Sequence, residues 1–248
     1  MAAAVTGPAG GEDRRPRVAV LISGRGSNMA ALLEAATDPS YPARIALVLS
    51  NRAGAAGLAR AEAAGIPVAV VESRAHKGDR EGFEAAMQAV LESHRIGMIA
   101  LAGFMRVLTE GFTRRWEGRM LNIHPSLLPA FPGLDTHARA LEAGVRLHGC
   151  TVHLVSAGVD EGPILAQAAV PVLPGDDEAT LAARVLAQEH RLYPAALAWM
   201  AVWLARHGAG PLPAMRRIAE EATAALPSAT GAMANPLPAF AALPTEKA

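Results

Sequence analysis

The chain has 248 residues, of which 51% are hydrophobic, 4% aromatic and 19% charged, and its 23 basic side chains balance 23 acidic ones. This composition excludes global disorder, and the zero net charge excludes the strongly basic surface of a general nucleic-acid or membrane-surface binder. Cys150, the only cysteine, excludes an internal disulfide framework and a four-cysteine zinc module, which fits the reducing cytoplasm where we expect the protein to reside.

The amino-terminal half alternates between two kinds of pattern. Residues 1–16 lack any periodicity and are predicted to form a flexible leader. Short apolar runs then predict buried strands, and between them the apolar spacing of about 3.6 residues predicts helices. The strands are expected at residues 18–22, 45–49, 68–71, 98–102 and 121–123, and the helices at residues 28–36, 55–64 and 79–94. Alternation of this kind predicts a doubly wound parallel sheet with right-handed crossovers.

The carboxyl-terminal half changes character after His124, with a proline-rich loop and a short helix near residues 138–143. Two further strands, at residues 151–155 and 164–170, lie too close together for a crossover helix, so we expect them to be antiparallel near an edge of the same sheet. A long helix should start at about Glu178, and its uncharged stretch 192–205 is too short to span a membrane and predicts burial. The predicted fold is therefore α/β, a mixed but mostly parallel sheet flanked by helices.

We expect a single domain over residues 17–207. Residues 208–248 form an alanine- and proline-rich tail that is predicted to be largely irregular, with one short helix possible at residues 215–225 and with the last 20 or so residues mobile.

The first candidate site is the loop 23–28, SGRGSN, between the first strand and the first helix. Glycines allow a tight turn, and the free N–H groups at a helix start favour an anion such as phosphate. The alternative is an ordinary turn in which Ser27 caps the helix. A dinucleotide site is disfavoured, because Met29 occupies the position of the third glycine in that motif.

The second candidate site is the sequence Asn122-Ile123-His124-Pro125. Residues two apart on a strand share a face, so Asn122 and His124 should point together into a crevice at the carboxyl end of the strand. An amide beside an imidazole can bind an oxyanion and transfer a proton, which acyl transfer requires. The alternative is a histidine with a structural role only.

The third candidate is Asp160, in the sequence VDEGP before the last strand. An aspartate there is either a turn former or a carboxylate that reaches His124 and favours its charged form, and the sequence leaves both open. His137, His148 and His153 lack the spacing of a zinc site, so we expect no metal.

Taken in order, SGRGSN, LAGFMRVL, LNIHPSLLPAFPGLDTHARALEAG, HGCTVHLV and VDEGPIL resemble the phosphoribosylglycinamide formyltransferase family over residues 17–207. The resemblance implies a Rossmann-like formyltransferase fold, with a phosphate-binding half at about 17–118 and a folate-binding half at about 119–207. It also implies formyl transfer from 10-formyltetrahydrofolate to the amine of phosphoribosylglycinamide (GAR), in de novo purine (IMP) biosynthesis.

The same resemblance assigns roles to individual residues. Asn122, His124 and Asp160 would be catalytic, Gly26, Ser27 and Asn28 would hold the substrate's phosphate, and Glu189 would contact its glycinamide part. The folate would contact Arg80, Met105, Arg106, Val107, Leu108, Asn122, Ser156, Ala157, Gly158, Val159 and Asp160. The folate is a co-substrate, so neither a metal nor a tightly bound cofactor is implied.

Three alternatives stay open at this point. A formyltetrahydrofolate hydrolase and a methionyl-tRNA formyltransferase share the Asn, His and Asp set, but the first carries an additional amino-terminal domain and the second a basic carboxyl-terminal one. A phosphate-binding module without catalysis would leave Asn122 and His124 unused. We expect small-molecule partners only, no nucleic acid or membrane, and a monomer or homodimer.

Overall fold

A computed structural model of the chain describes residues 13, 15–207, 215–226 and 229–230. Most of the predicted leader and the last 20 or so residues lie outside the described residues. The elements in chain order are β1 (Arg17–Ile22), α1 (Ser27–Ala35), β2 (Arg44–Ser50), α2 (Gly57–Ala63), β3 (Val68–Val70), α3 (Arg80–Ser93), β4 (Met98–Leu101), α4 (Glu110–Arg115), β5 (Met120–His124), α5 (Thr136–Glu142), β6 (Leu147–Leu154), β7 (Ile164–Pro171), α6 (Glu178–His207), α7 (Met215–Ala225) and β8 (Ala229–Thr230).

The strands form one sheet in the order β3-β2-β1-β4-β5-β6-β7-β8. Strands β1 to β5 are parallel, whereas β6 runs antiparallel to both β5 and β7. The predicted α/β fold with a mixed, mostly parallel sheet is confirmed, as is the antiparallel pairing of β6 and β7. The two-residue strand β8, which pairs parallel to β7, and the helix α4 were not predicted.

Successive strand residues point to opposite sides of the sheet. Both sides are covered by helices, so both sets of side chains are buried. Along β1, Val18, Val20 and Ile22 belong to the core beneath α1 and α6. Ala19 and Leu21 belong to the second core, which also contains the apolar side chains of α3 and α4. This double burial explains why the strands are nearly continuous apolar runs in the sequence.

The order of the strands determines where a ligand can bind. From β1 the chain proceeds outward to β2 and β3, then returns to place β4 on the other side of β1. The connections that leave β1 and β4 therefore diverge at the carboxyl ends of these strands, and open α/β sheets bind ligands in the crevice that this divergence creates.

Helix α6 packs against α1 and against strands β6 and β7, and it contains the predicted buried stretch. The hydroxyl of Tyr193, which is fully buried, lies 3.0 Å from the carbonyl oxygen of Leu101 in β4 and 3.2 Å from that of Leu121 in β5. The Tyr41 hydroxyl donates to the carbonyl oxygen of Pro194, inside the same helix. No helix in the described part of the chain is both long and apolar enough to cross a bilayer.

The core extends past the domain end predicted at residue 207. Helix α7 matches the helix predicted at 215–225, and it buries Ile218 and Ala222 in the same core that α6 covers. The indole N–H of Trp203 donates to Glu221 at 2.7 Å. The predicted boundary is therefore corrected, because the apolar face of α7 is part of the domain core.

Replacing Tyr193 with Phe should lower the free energy of unfolding by about 1 to 3 kcal/mol, since the buried carbonyl groups lose their donor while the ring is retained. Urea denaturation monitored by circular dichroism measures this loss. As a control, Leu173→Ala, at a side chain that is 48% exposed, should change stability by less than about 0.5 kcal/mol. Equal stability of Tyr193→Phe and the wild type would contradict the assigned hydrogen bonds.

Candidate active site

The predicted phosphate loop joins β1 to α1 and leaves the helix start open. Gly26 is the N-cap residue in the left-handed conformation, with φ of 69°, and no side chain caps the helix. The alternative in which Ser27 is the capping residue is therefore wrong. The first-turn N–H groups of a helix lack acceptors within the helix, so those of α1 are available to an anion.

The start of α2 lies close to the backbone of this loop. The N–H of Gly57, at the start of α2, donates to the carbonyl oxygen of Gly24 at 3.0 Å. A Cβ on Gly57 would lie 2.6 Å from Ile22 Cδ1 and 3.2 Å from the Gly24 carbonyl oxygen, so a larger residue there would require the Ile22 side chain to shift. The loop is thus tied to the start of α2 by a backbone hydrogen bond.

Asn28 connects the phosphate loop with α6. Its side-chain amide donates to the Glu189 carboxylate at 2.6 Å. Glu189 is buried, and this burial raises its pKa, although the hydrogen bond from Asn28 acts in the opposite direction. The structure therefore brings Asn28 and Glu189, two of the predicted substrate-binding residues, into direct contact.

Asn122, His124 and Asp160 converge at the carboxyl end of β5. Asp160 Oδ2 lies 3.3 Å from His124 Nδ1, and Asp160 Oδ1 lies 3.5 Å from the amide nitrogen of Asn122. The sequence left open whether Asp160 forms a turn or reaches His124, and the structure shows both, since Asp160 has a positive φ of 56° and contacts the imidazole.

Both nitrogens of the His124 ring face hydrogen-bond acceptors. Nδ1 faces the Asp160 carboxylate, and Nε2 lies 3.0 Å from the carbonyl oxygen of Phe131. A neutral imidazole has one donor only, whereas the imidazolium has two. Each ring nitrogen of this buried side chain therefore has an acceptor that can take an N–H from it.

Asp160 is itself held in the ionised form. Burial raises the pKa of this carboxyl group, but the contact with His153, the backbone hydrogen bond from Gly133 and the nearby charge of His124 together bring the pKa below its ordinary value. The Gly133 N–H donates to Oδ2 at 2.9 Å, and His153 Nε2 lies 3.6 Å from Oδ1. Asp160 is thus a carboxylate with a partner on each oxygen.

The carbonyl group of Phe131 depends on a loop that β6 and β7 support. Thr151 donates its hydroxyl to the Ser126 carbonyl oxygen and accepts from the N–H of Leu128. Gln167 donates to the Leu128 carbonyl oxygen at 2.8 Å. These contacts anchor the loop that follows β5, so that Phe131 reaches His124.

His153 was missed as a site residue in the sequence. It pairs with Asn122 across the β5 and β6 ladder, and its Nε2 lies 3.1 Å from the Asn122 amide nitrogen. The sequence could have identified His153 only if the register of the antiparallel pair β5 and β6 had been known, because that register places it opposite Asn122.

The predicted folate segment, residues 105–108, lies shortly after the end of β4. Met105 and Val107 are 62% and 61% exposed, whereas Leu108 is buried in the core with Phe112. Arg80 donates from Nη2 to the Val107 carbonyl oxygen at 2.8 Å. The structure thus joins Arg80 to the folate segment and leaves two apolar side chains free to meet a ligand.

A second anchor of the folate segment lies at the end of β1. The Ser23 hydroxyl accepts from the N–H of Met105 at 2.7 Å and donates to Asn51 at 2.6 Å. Asn51 could not be identified from sequence alone, because its side-chain partners, Ser23 and Ser73, come from the segments after β1 and after β3.

The loop 156–160 follows β6 and contains Asp160 together with other residues predicted to contact the folate. Val159 is 52% exposed, and Ser156 and Ala157 precede it at the surface. Gly162 packs against the Leu154 carbonyl group so closely that any side chain would collide with it. This close approach turns the chain back toward β6 and brings Asp160 inward.

The predicted phosphate loop follows β1, and the predicted catalytic residues Asn122 and His124 lie on β5, so that only β4 separates the two strands. At about 4.8 Å between neighbouring strands, β1 and β5 are about 10 Å apart, a distance that a small sugar phosphate can span. Among the described residues, no three His, Cys, Asp or Glu side chains are arranged to hold a metal ion.

Known proteins match the chain over this same region. A sequence profile of the formyl transferase family matches residues 16–197. The human trifunctional purine biosynthetic protein adenosine-3 is 51% identical over 186 residues, covering 75% of this chain and 18% of that protein. The phosphoribosylglycinamide formyltransferase of Haemophilus influenzae is 45% identical over 183 residues, covering 74% of this chain and 86% of that protein.

A solved structure agrees with these matches. The crystal structure of phosphoribosylglycinamide formyltransferase from Brucella melitensis superposes with a TM-score of 0.72 at 55% identity, covering 81% of this chain and 99% of that one. The chain therefore spans less than a fifth of the human trifunctional relative, 18%, but nearly the whole of this solved structure.

The lowered pKa of Asp160 predicts a pH-dependent contribution to stability. Ionised Asp160 stabilises the fold above about pH 4, the ordinary pKa of an unfolded aspartate, and this stabilisation is lost as the pH falls through the lower folded pKa. In urea denaturation, wild type should therefore exceed Asp160→Asn in stability at pH 7 and lose that advantage progressively below pH 4. A difference that stays constant with pH would contradict the assignment.

Proposed function

The chain belongs to the formyl transferase family, and we propose that it transfers a formyl group from 10-formyltetrahydrofolate to the amine of GAR in de novo purine (IMP) biosynthesis. The observation that carries the proposal is the convergence of Asn122, His124 and Asp160, with 3.3 Å between Asp160 Oδ2 and His124 Nδ1. The names of the Haemophilus and Brucella relatives support the choice of substrate.

We propose that the phosphate of GAR binds at Gly26, Ser27 and Asn28. The open N–H groups at the start of α1 suit a phosphate, and the protein needs no overall positive charge for this purpose. Glu189 lies against Asn28 and is placed for the glycinamide part of the substrate. Its buried carboxylate can accept a hydrogen bond from the substrate amine.

The folate is proposed to bind as a co-substrate between the folate segment and the loop 156–160. Met105 and Val107 offer exposed apolar surface, and Arg80 and Arg106 offer positive charge for an acidic tail. The chemistry is a group transfer between two bound substrates, so it requires neither a metal nor a tightly bound cofactor. A cytoplasmic location and a monomeric or homodimeric state belong to the same proposal.

The reaction begins when the amine nitrogen of GAR attacks the formyl carbon and forms a tetrahedral intermediate. Negative charge develops on the former carbonyl oxygen, and the Asn122 amide together with the His124 imidazolium can stabilise it. The intermediate collapses when the bond from carbon to N10 breaks. N10 gains a proton, the attacking amine loses one, and His124 is the group placed to transfer it.

Asp160 has an electrostatic and an orienting role in this scheme. Its carboxylate favours the charged form of His124 and fixes the ring, while the Phe131 carbonyl group fixes the opposite nitrogen. Because both partners are held by the protein, no rearrangement of solvent is needed as charge develops.

Turnover that depends on both substrates tests the proposed function. The purified chain with GAR and 10-formyl-5,8-dideazafolate should release the deformylated folate analogue, which is followed by absorbance, only when GAR is present. Release at the same rate without GAR would assign the chain as a hydrolase instead.

Replacing His124 with Ala should lower kcat by about 10²- to 10⁴-fold, the usual contribution of a general acid or base, and leave the fold intact. His94→Ala is the matched control, because His94 follows α3 at the opposite end of the sheet, and its activity should be unchanged. Retention of His124→Ala activity within a few fold would remove His124 from the mechanism.

Gly26→Ala should raise the KM for GAR about tenfold, because distortion of the loop displaces the phosphate-binding N–H groups. Alanine is strained at the positive φ of residue 26. Its Cβ would also lie 3.1 Å from the Met29 side chain and 3.2 Å from Gly57. Gly24→Ala is the control, since its Cβ would meet no atom within 4 Å. Steady-state kinetics on both variants measures the contrast, and equal KM values would contradict it.

A further inference from the structure

The folate segment is exposed, yet its flank toward α4 is firmly held. The residue that follows it, Thr109, contacts the side chain of Glu84 on α3. Glu84 is 6% exposed, which is unusual for a glutamate, so its carboxylate requires partners inside the protein.

Both oxygens of the Glu84 carboxylate are used by a single residue. Oε1 accepts from the backbone N–H of Thr109 at 2.6 Å, and Oε2 accepts from the Thr109 hydroxyl. A carboxylate that binds two donors of one residue fixes both the position and the orientation of that residue, because neither donor can move without losing its acceptor.

Through Thr109 the contact reaches α4. The Thr109 hydroxyl oxygen accepts from the N–H of Phe112 at 3.3 Å and thereby caps the helix. Since the hydroxyl proton points to Glu84, the oxygen is oriented to accept from Phe112. Hydrogen bonds to Glu84 on α3 therefore hold both the end of the folate segment and the start of α4 in position.

Two neighbours of Glu84 contact the folate segment itself. Arg80 donates to the Val107 carbonyl oxygen at 2.8 Å, and the Phe83 ring lies 5.8 Å from the Arg106 guanidinium carbon. Residues three and four apart are neighbours on a helix surface, so Phe83 and Glu84 both lie next to Arg80 on α3. Of the two charged side chains among these three, Glu84 is buried and Arg80 is exposed.

We propose that Glu84 is a positioning residue for the folate. It holds Thr109, and through it the folate segment, in the conformation that receives the co-substrate, without touching the co-substrate itself. This inference rests on the proposed function, because it concerns the site assigned to the folate.

The test compares Glu84→Gln with Glu81→Gln, a control on an exposed residue of the same helix. An amide can accept from only one of the two Thr109 donors. The KM for 10-formyl-5,8-dideazafolate should therefore rise about tenfold in Glu84→Gln, whereas kcat and the KM for GAR should stay within about threefold of wild type. Glu81→Gln should match the wild type in all three constants.

A second pair of variants separates positioning from mere stability. Thr109→Val removes the hydroxyl and should also raise the KM for the folate analogue, and Thr109→Ser retains it and should restore the wild-type value. Calorimetric titration of each variant with the folate analogue should show the same order of affinities.

The outcomes distinguish the two proposals. If the wild type shows no GAR-dependent turnover, the proposed function fails. If the wild type is active but Glu84→Gln has an unchanged folate KM, or if the KM values of both substrates rise together with a lowered melting temperature, the positioning role is wrong and the proposed function stands.

Discussion

The partly buried carboxylate of Asp160 is the interaction on which the rest of the site depends. It lies 3.3 Å from His124 and 3.6 Å from His153, and it accepts a hydrogen bond from the Gly133 backbone. A carboxylate removed from water must be paired, so its burial requires the positive charge or donors of its neighbours. The same requirement holds the loop before β7, the loop after β5 and the β5 and β6 strands in one arrangement.

The overall neutrality of the chain is consistent with the two proposed anionic ligands, because each would be met locally. The start of α1 offers backbone N–H groups, which carry no formal charge, and Gly26 in the left-handed conformation directs them outward. The folate segment lies beside Arg80, whose guanidinium already contacts its backbone. The strand order brings these features together at one edge of the sheet, so local geometry replaces a global positive field.

Much of the fold and part of the site were predictable from short stretches of sequence. Continuous apolar runs indicated the strands, and glycines between β1 and α1 indicated the open helix start. The spacing of Asn122 and His124 placed both on one strand face, since side chains alternate along a strand. What the sequence by itself determined is therefore local: element types, the antiparallel pairing of two close strands, and residues that share a face.

Contacts between distant segments were decided only by the tertiary structure. The register of β5 and β6 sets His153 opposite Asn122. The turn at Gly162 brings Asp160 to His124, and the packing of α3 on the second core brings Glu84 to Thr109. Helix α7 joined the core in the same way. The physical reason is that such contacts depend on strand order and on how buried faces pack together, whereas local spacing in the chain specifies neither.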